Sequence, residues 1–326
     1  MCGRQIPVER LELVPETPYC AEDAAKLNVE GGTVREPYPV ALPPQIQQFL
    51  QRRRAKSDYA LRAMERLGLD RPAYFSMIDL GTQDPRGARP QDVQNSAYRT
   101  TDEPLRAPFA AAESVGLLAW SDGRWSLTAA GKAALDEYRR AIDRYFGGLS
   151  PIDAGALERL GRLLDEALAA CVAAPEPKTR DHTLRAARYR WQEPSSMFAR
   201  LDAAAYGLWQ VRDDCHVQAW RDAGLSGPVL DVLTRVWHKE AATEDELAEK
   251  LPAQPPEDLR ASLQRLRVDG MLTSGPRLGL TPKGTTTRER IEAATDRYFF
   301  APWPDAVGAQ ADWVTERLVE VNAALG

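Results

Sequence analysis

Two stretches of this chain carry the same words in the same register, and that repetition narrows the folds open to it. The first reads Val115-Gly116-Leu117-Leu118, a short polar turn, Leu127-Thr128-Ala129-Ala130-Gly131, and then Asp143-Arg144-Tyr145-Phe146. The second reads Asp269-Gly270-Met271-Leu272, another short turn, Leu280-Thr281-Pro282-Lys283-Gly284, and then Asp296-Arg297-Tyr298-Phe299. Leu127 and Leu280 are 153 residues apart, and so are Asp143 and Asp296. Chance rarely keeps two such words at one spacing, so the chain reads as an internal duplication.

Each copy has a local physical reading. A helix ends at Gly116 or Gly270, where a left-handed C-terminal position suits glycine. A short apolar strand follows, then a turn: Ser121-Asp122-Gly123-Arg124 in one copy and Ser274-Gly275-Pro276-Arg277 in the other. The return strand ends at Leu127 or Leu280, and Thr128 or Thr281 caps a new helix. Upstream, residues 44–67 show helical periodicity through Ile46, Phe49, Leu50, Tyr59, Leu61, Met64 and Leu67, closed by Gly68-Leu69 and followed by Pro72. The second copy repeats this with a helix over 201–223, Gly224-Leu225 and Pro228. In copy one the helix-turn-helix is expected at 72–80 and 90–98, with its recognition helix at 102–115. In copy two the pieces are 228–237, 243–251 and 256–268. Thr243-Glu244-Asp245-Glu246 forms a capping box there, and Leu105-Arg106-Ala107 matches Leu259-Arg260-Ala261. The segment 81–89 is an insertion in copy one without an assigned role.

This order of helix, hairpin and a Leu-Thr-x-x-Gly helix start resembles the MarR-like winged-helix regulators, over most of residues 45–326 as two units. Residues 212–303 are also similar to an uncharacterised bacterial family of MarR-like helix-turn-helix proteins, which brings no known activity. In MarR-like proteins the outer helices make a dimer interface. The resemblance therefore implies that two units on one chain pack as an internal pseudo-dimer. The expected fold is mostly α with small β wings, two winged helix-turn-helix units in one chain. The expected divisions are a Pro-rich arm (1–44), a first unit (45–174), a basic linker (175–199) and a second unit (200–326).

Composition sets outer bounds. A chain of 326 residues with 44% apolar side chains can bury two cores of ordinary size. A formal charge of −5 argues against indiscriminate coating of nucleic acid and leaves room for a local basic face. Cys2, Cys20, Cys171 and Cys215 are too dispersed for a metal cluster or a disulfide framework, and they read as reduced thiols of a cytoplasmic protein. No long apolar run or signal peptide is present, so neither membrane insertion nor export is indicated. Residues 1–44 hold seven prolines (Pro7, Pro15, Pro18, Pro37, Pro39, Pro43, Pro44) and no helical periodicity. The opening Met1-Cys2-Gly3-Arg4 is similar to enzymes with an exposed Cys2 nucleophile, but the further motifs they need are missing, and an inert cysteine is the better reading.

The trailing helices are amphipathic. One runs through Leu157, Leu160, Leu163, Leu164, Ala167 and Leu168, and the other through Val314, Leu318, Val321 and Leu325. Between the copies, Lys178, Arg180, Arg185, Arg188 and Arg190 alternate with Tyr189 and Trp191.

Candidate DNA contacts follow from the winged helix, which presents one helix to the major groove and a wing to the backbone or minor groove. Arg124 and Arg277 each stand three residues before the repeated leucine, a position suited to phosphate or a narrow minor groove. Arg106 in copy one and Arg260, Arg265 and Arg267 in copy two lie on the recognition helices. Against this, copy one carries Asp102, Glu103 and Glu113, and carboxylates facing phosphates are repelled. The Arg52-Arg53-Arg54 run reads first as a solvated helix face and second as a phosphate contact.

A second constellation lies on the leading helix of copy two. Tyr206, Trp209, Asp213, His216 and Trp220 follow the +3, +4, +3, +4 spacing of one helix face. They either line a pocket for a small aromatic or apolar ligand or pack the two units together with His216 hydrogen-bonded inside. The similar bacterial family implies an Arg-x-Asp-x-His run at Arg212, Asp214 and His216, leaving open whether Asp213 or Asp214 partners the imidazole. No metal spacing, phosphate loop or nucleophile elbow appears, so no cofactor or metal is expected. The sequence thus favours a cytoplasmic DNA-binding regulator, monomeric with an internal pseudo-dimer or homodimeric, with a ligand between the units as its effector. The alternative is a winged-helix ligand-binding or protein-interaction module without DNA, and an enzyme comes third.

Overall fold

The structure is a computed structural model that describes residues 38–81, 87–89, 92, 103–189, 194–252 and 254–326. Contacts divide the chain after Val40, and every helix and strand named here belongs to the unit Ala41–Gly326. Cys2, Cys20, the proline-rich start, most of the expected copy-one helix over 90–98, and Asp102 lie outside the described residues.

The described chain is mostly helical with one small two-stranded antiparallel sheet. In order it forms α1 (Leu42–Arg52), α2 (Tyr59–Leu67), α3 (Arg71–Leu80), α4 (Glu103–Ser114), β1 (Leu118–Ser121), β2 (Arg124–Leu127), α5 (Ala129–Gly147) and α6 (Ala154–Ala173). It continues with α7 (Asp181–Tyr189), α8 (Met197–Asp222), α9 (Gly227–Trp237), α10 (Glu244–Lys250) and α11 (Pro256–Val268). The last elements are α12 (Pro282–Phe300), α13 (Asp305–Gly308) and α14 (Ala311–Leu325). Among the described residues no helix is long and apolar enough to cross a membrane.

The repeated words make the same hydrogen bonds. Gly116 and Gly270 take φ of 78° and 68° and end α4 and α11. The Thr128 side chain caps α5 by accepting from Gly131 N at 3.1 Å, and Thr281 caps α12 by accepting from Gly284 N at 3.1 Å. Each threonine also donates its hydroxyl to the turn before it, Thr128 to Gly116 O at 2.8 Å and Thr281 to Gly270 O at 2.6 Å. The glycine that closes each word has a steric reason: a Cβ on Gly131 would lie 2.1 Å from Leu117 O, and one on Gly284 would lie 2.2 Å from Met271 O. Ala88 bridges Trp125 on the outer side of β2, and Leu278 N reaches Ala242 O at 2.9 Å in the corresponding place. The hairpins differ in extent. Leu118↔Leu127 through Ser121↔Arg124 form a real ladder, whereas the expected strands of copy two reduce to one bridge, Leu272↔Leu280. Gly275 and Pro276 in that turn leave too few paired residues for a ladder.

The expected continuous helix over 44–67 is broken. α1 stops at Arg52, residues 53–56 form a turn, and α2 starts at Tyr59. The turn directs Arg53 Nε and Arg54 Nη2 onto the Asp202 carboxylate of α8, Arg54 at 3.6 Å. Asp202 is only 1% exposed. The Arg52-Arg53-Arg54 run is therefore neither a solvated face nor a phosphate clamp. Arg52 Nη1 donates to Asn322 O at 2.9 Å, and the other two neutralise a buried charge. The equivalent stretch of α8 stays helical throughout.

α8 is the hub. It is buried on several sides and packs against α6, α12, α7, α1 and α5. A run of small residues, Ala203, Ala204, Ala205 and Gly207, lets α6 approach closely, with Leu168 over Gly207. Phe198 joins Phe49 of α1 and Phe146 of α5, ring centroids 5.6 and 5.2 Å apart. A separate apolar cluster under α9–α11 gathers Leu230, Leu233, Leu247, Leu263, Leu266 and Ile291. α7, within the segment expected as a linker, lies along α8.

Gly131→Ala and Gly284→Ala are each expected to cost about 1–3 kcal/mol, because the added methyl must displace backbone rather than a mobile side chain. Asp202→Asn is expected to cost about 3–5 kcal/mol by leaving Arg53 without its buried counter-charge. Urea denaturation of each variant measures both.

Candidate functional site

The surface that can meet a nucleic acid is set by the phase of α11. Leu259, Ser262, Leu263 and Leu266 are buried, which turns Glu257, Arg260, Gln264 and Arg265 outward on one stripe. Arg260 Nε donates within its own helix, to Pro256 O at 3.2 Å. Arg265 pairs with Asp269 at 2.7 Å and remains 64% exposed. Arg267 is turned aside, paired with Glu244 at 2.9 Å. Lys283, at the start of α12, donates to Asp269 O at 2.7 Å and lies at the end of α11. Arg277 in the wing turn is exposed and makes no hydrogen bond or ion pair among the described residues.

Copy one offers a different surface. On α4, Arg106, Ala107, Ala110 and Ser114 are exposed. The Arg106 guanidinium lies over Trp120 of β1, 5.8 Å from the ring centroid. Glu113 does not face outward as a repelling carboxylate. Its Oε1 accepts from Trp120 N at 3.1 Å and its Oε2 from Trp125 Nε1 at 3.2 Å, so it fastens the hairpin to α4. Arg124 donates to Gly87 O at 3.2 Å. The residues that sequence reasoning missed are Gln264 and Lys283. The heptad-like spacing of leucines in α11 was a sufficient signal for Gln264, since it lies away from Leu259 and Leu266 in helical phase.

The five-residue face of α8 is not kept together as one pocket. Tyr206 lines two cavities. One, of about 430 Å³, lies among α6, α7 and α8 and is walled by Leu168, Val172, Ala186, Ala203, Thr183 and Asp202. The other, of about 570 Å³, is bordered by Arg53, Arg54, Arg71, Phe75, Asp79 and Tyr138. Trp209, Asp213, His216 and Trp220 line neither. Trp220 is buried in the apolar cluster of copy two, and Asp213 receives Gln210 Nε2 at 3.4 Å.

Neither Asp213 nor Asp214 partners His216. His216 Nδ1 lies 3.1 Å from Thr295 Oγ1 on α12, and that hydroxyl donates to Ile291 O at 2.8 Å. With the hydroxyl proton committed, Nδ1 is the donor and the neutral ring carries its proton there. Burial pushes the imidazole down to about 4, outweighing the nearby Glu292 carboxylate, 3.8 Å away. Asp214 is fully buried and serves α7 instead. It accepts from His182 N at 3.0 Å, His182 Nδ1 at 2.8 Å, Thr183 N at 2.8 Å and Thr183 Oγ1 at 2.7 Å. Burial opposes ionisation of Asp214, but these bonds hold its carboxyl below the usual range. A carboxylate among the free N–H groups of a helix start is matched both by hydrogen bonds and by the helix dipole. Arg212 completes the set by bridging to Asp296 at 3.2 Å and Glu292 at 3.5 Å on α12. The Arg212, Asp214 and His216 run thus docks three side chains of α8 onto α7 and α12. Among the described residues no group of three or more His, Cys, Asp or Glu side chains is placed to hold a metal ion. Cys171 and Cys215 are free and buried, and burial raises both thiols, Cys171 to about 12.

A short helix, a turn, and an exposed helix against a buried cluster define a helix-turn-helix protein. The chain belongs to a helix-turn-helix family, whose sequence profile matches residues 118–326, well over half of its length. No curated protein and no solved structure matches the chain.

The titration of His216 has a stability consequence. The unfolded ring takes up a proton near its ordinary 6.5, while the folded ring resists until about 4. Acidification therefore favours the unfolded chain across that window. The stability from this residue is complete above pH 6.5 and falls by up to about 3 kcal/mol toward pH 4. His216→Gln is expected to flatten this part of the profile, measured as denaturant midpoints at pH 7 and pH 4.5.

Proposed function

We propose that this protein is a DNA-binding transcriptional regulator built from two winged-helix units on one chain, packed as a pseudo-dimer. The observation that carries the proposal is the outward stripe of α11, where Arg260, Gln264 and Arg265 are exposed, together with the Lys283 ammonium at the end of that helix and the exposed Arg277 of the wing turn. Arginine and glutamine are the side chains best suited to bidentate contacts with guanine and adenine, and a wing arginine suits phosphate. Membership of a helix-turn-helix family agrees with this use of α11.

The pseudo-dimer reading draws on a reciprocal exchange. The leading helix of copy one, α1, packs on the last helix of copy two, α14. The leading helix of copy two, α8, packs on the trailing helix of copy one, α6. Two subunits of a symmetric dimer exchange terminal helices in the same reciprocal way. In this reading an effector acts at Tyr206, whose two cavities adjoin both copies, rather than at Trp209 and His216. A small apolar or aromatic molecule there would press on α8 and alter the spacing between α4 and α11. The second reading, a ligand-binding or protein-interaction module without DNA, is favoured by the carboxylates Glu244, Asp245, Glu246 and Glu249 of α10, which lies before α11.

Binding of the full chain to duplex DNA across a salt series separates the two. The regulator reading expects binding that weakens steeply with salt, and a shallower log–log slope, by about 1–2, for Arg260→Ala/Arg277→Ala. Absence of binding at low salt would overturn it in favour of the ligand module.

A further inference from the structure

Equivalent positions of the two copies can be compared one by one, because the helix-end and helix-start hydrogen bonds around them coincide. Arg260 of α11 corresponds to Arg106 of α4, Gln264 to Ala110, and Arg265 to Ala111. Lys283 at the start of α12 corresponds to Ala130 at the start of α5. Of four polar or cationic positions on the copy-two face, copy one keeps only Arg106, and its guanidinium lies over the Trp120 ring. The wing arginines differ too. Arg277 makes no bond among the described residues, whereas Arg124 is held on Gly87 O.

Resting on the DNA-binding reading above, we infer that the interface is one-sided. Copy two reads base edges through Arg260, Gln264 and Arg265, copy one supports the complex without reading sequence, and the target is a single non-palindromic site. Direct readout needs side chains that offer paired donors or acceptors to a base edge, and alanine offers none. From residue 103 to residue 115 the copy-one helix contains Arg106 as its one arginine, with no lysine, asparagine or glutamine. Glu113, a residue that could have accepted from cytosine, is consumed by the two tryptophan N–H groups of its own hairpin. On α11, by contrast, the outward stripe mixes an acceptor, Glu257, with the donors Arg260 and Arg265 and the two-way amide of Gln264. Such a mixture suits a defined base sequence better than a run of phosphates. Two equal units on a symmetric operator would require two competent reading helices, and of α4 and α11 only α11 carries such a set.

The test is selection of bound sequences from a randomised duplex pool with the full chain, followed by footprinting and by the variants Gln264→Ala and Arg106→Ala. Gln264 is exposed and helical, so its truncation to alanine leaves the fold in place. The expected result is one contiguous motif without dyad symmetry. Gln264→Ala is expected to lose roughly 10-fold of discrimination at one base pair while the salt slope stays unchanged, because no charge is removed. Arg106→Ala is expected to leave the selected motif as it was. A palindromic motif, or loss of base preference in Arg106→Ala, would overturn one-sided reading and leave DNA binding standing. Salt-dependent binding with no enriched motif would also overturn it and leave DNA binding standing. No binding to any duplex at low salt would overturn the regulator reading, and this inference with it.

Discussion

A helix buried on most of its circumference must find a partner for every polar atom it takes inside, and α8 imposes that requirement on the rest of the fold. Asp202 and Asp214, both within 1% of complete burial, are twelve residues apart on this helix. The first is neutralised by Arg53 and Arg54 from the turn after α1, and the second by four donors at the start of α7. Removing either carboxylate's partners leaves a charge in an apolar setting, which is far more costly than the pair's net contribution. The break in the copy-one leading helix and the docking of α7 are both answers to this one demand. Arg212 and His216 extend it to α12, so that the polar groups of one helix fix the α1 turn, α7 and α12.

The two matching segments share what backbone geometry requires and differ where the surface allows. Gly131 and Gly284 each pass within van der Waals distance of a carbonyl oxygen, and no side chain fits there. Thr128 and Thr281 each satisfy a helix start and a preceding turn with a single hydroxyl. On the outside of the same scaffold, Ala110 stands where Gln264 stands in the other copy. The hairpin of copy one has invested in aromatic packing, with Trp125 stacked on Phe109 at 5.3 Å and tilted on Trp120 at 4.3 Å. The turn between Leu272 and Leu280 instead holds the exposed Arg277. A net charge of −5 does not prevent this local division, because screening within roughly 10 Å makes the near field depend on neighbouring groups.

The sequence by itself determined the matching words around Gly116 and Gly270, the threonine-capped helix starts after them, and the helix-turn-helix character. All of these are local: a glycine at positive φ, a threonine cap and an apolar period act within a few residues. It also marked Arg106, Arg124, Arg260, Arg265 and Arg277, because turn position and helical phase are readable along the chain. Only the tertiary structure decided which arginines find distant partners, since Arg124 is held on Gly87 O and Arg267 on Glu244, 37 and 23 residues away in the chain. The same holds for the α8 face. Spacing put Tyr206, Trp209, Asp213, His216 and Trp220 on one side, but a long helix buried on several sides sends successive turns of that side to different neighbours. Tyr206 met cavities, His216 met Thr295, and Trp220 met the core. Partners for Asp202 and Asp214 lie 149 and 32 residues away in the chain, beyond the reach of any periodicity.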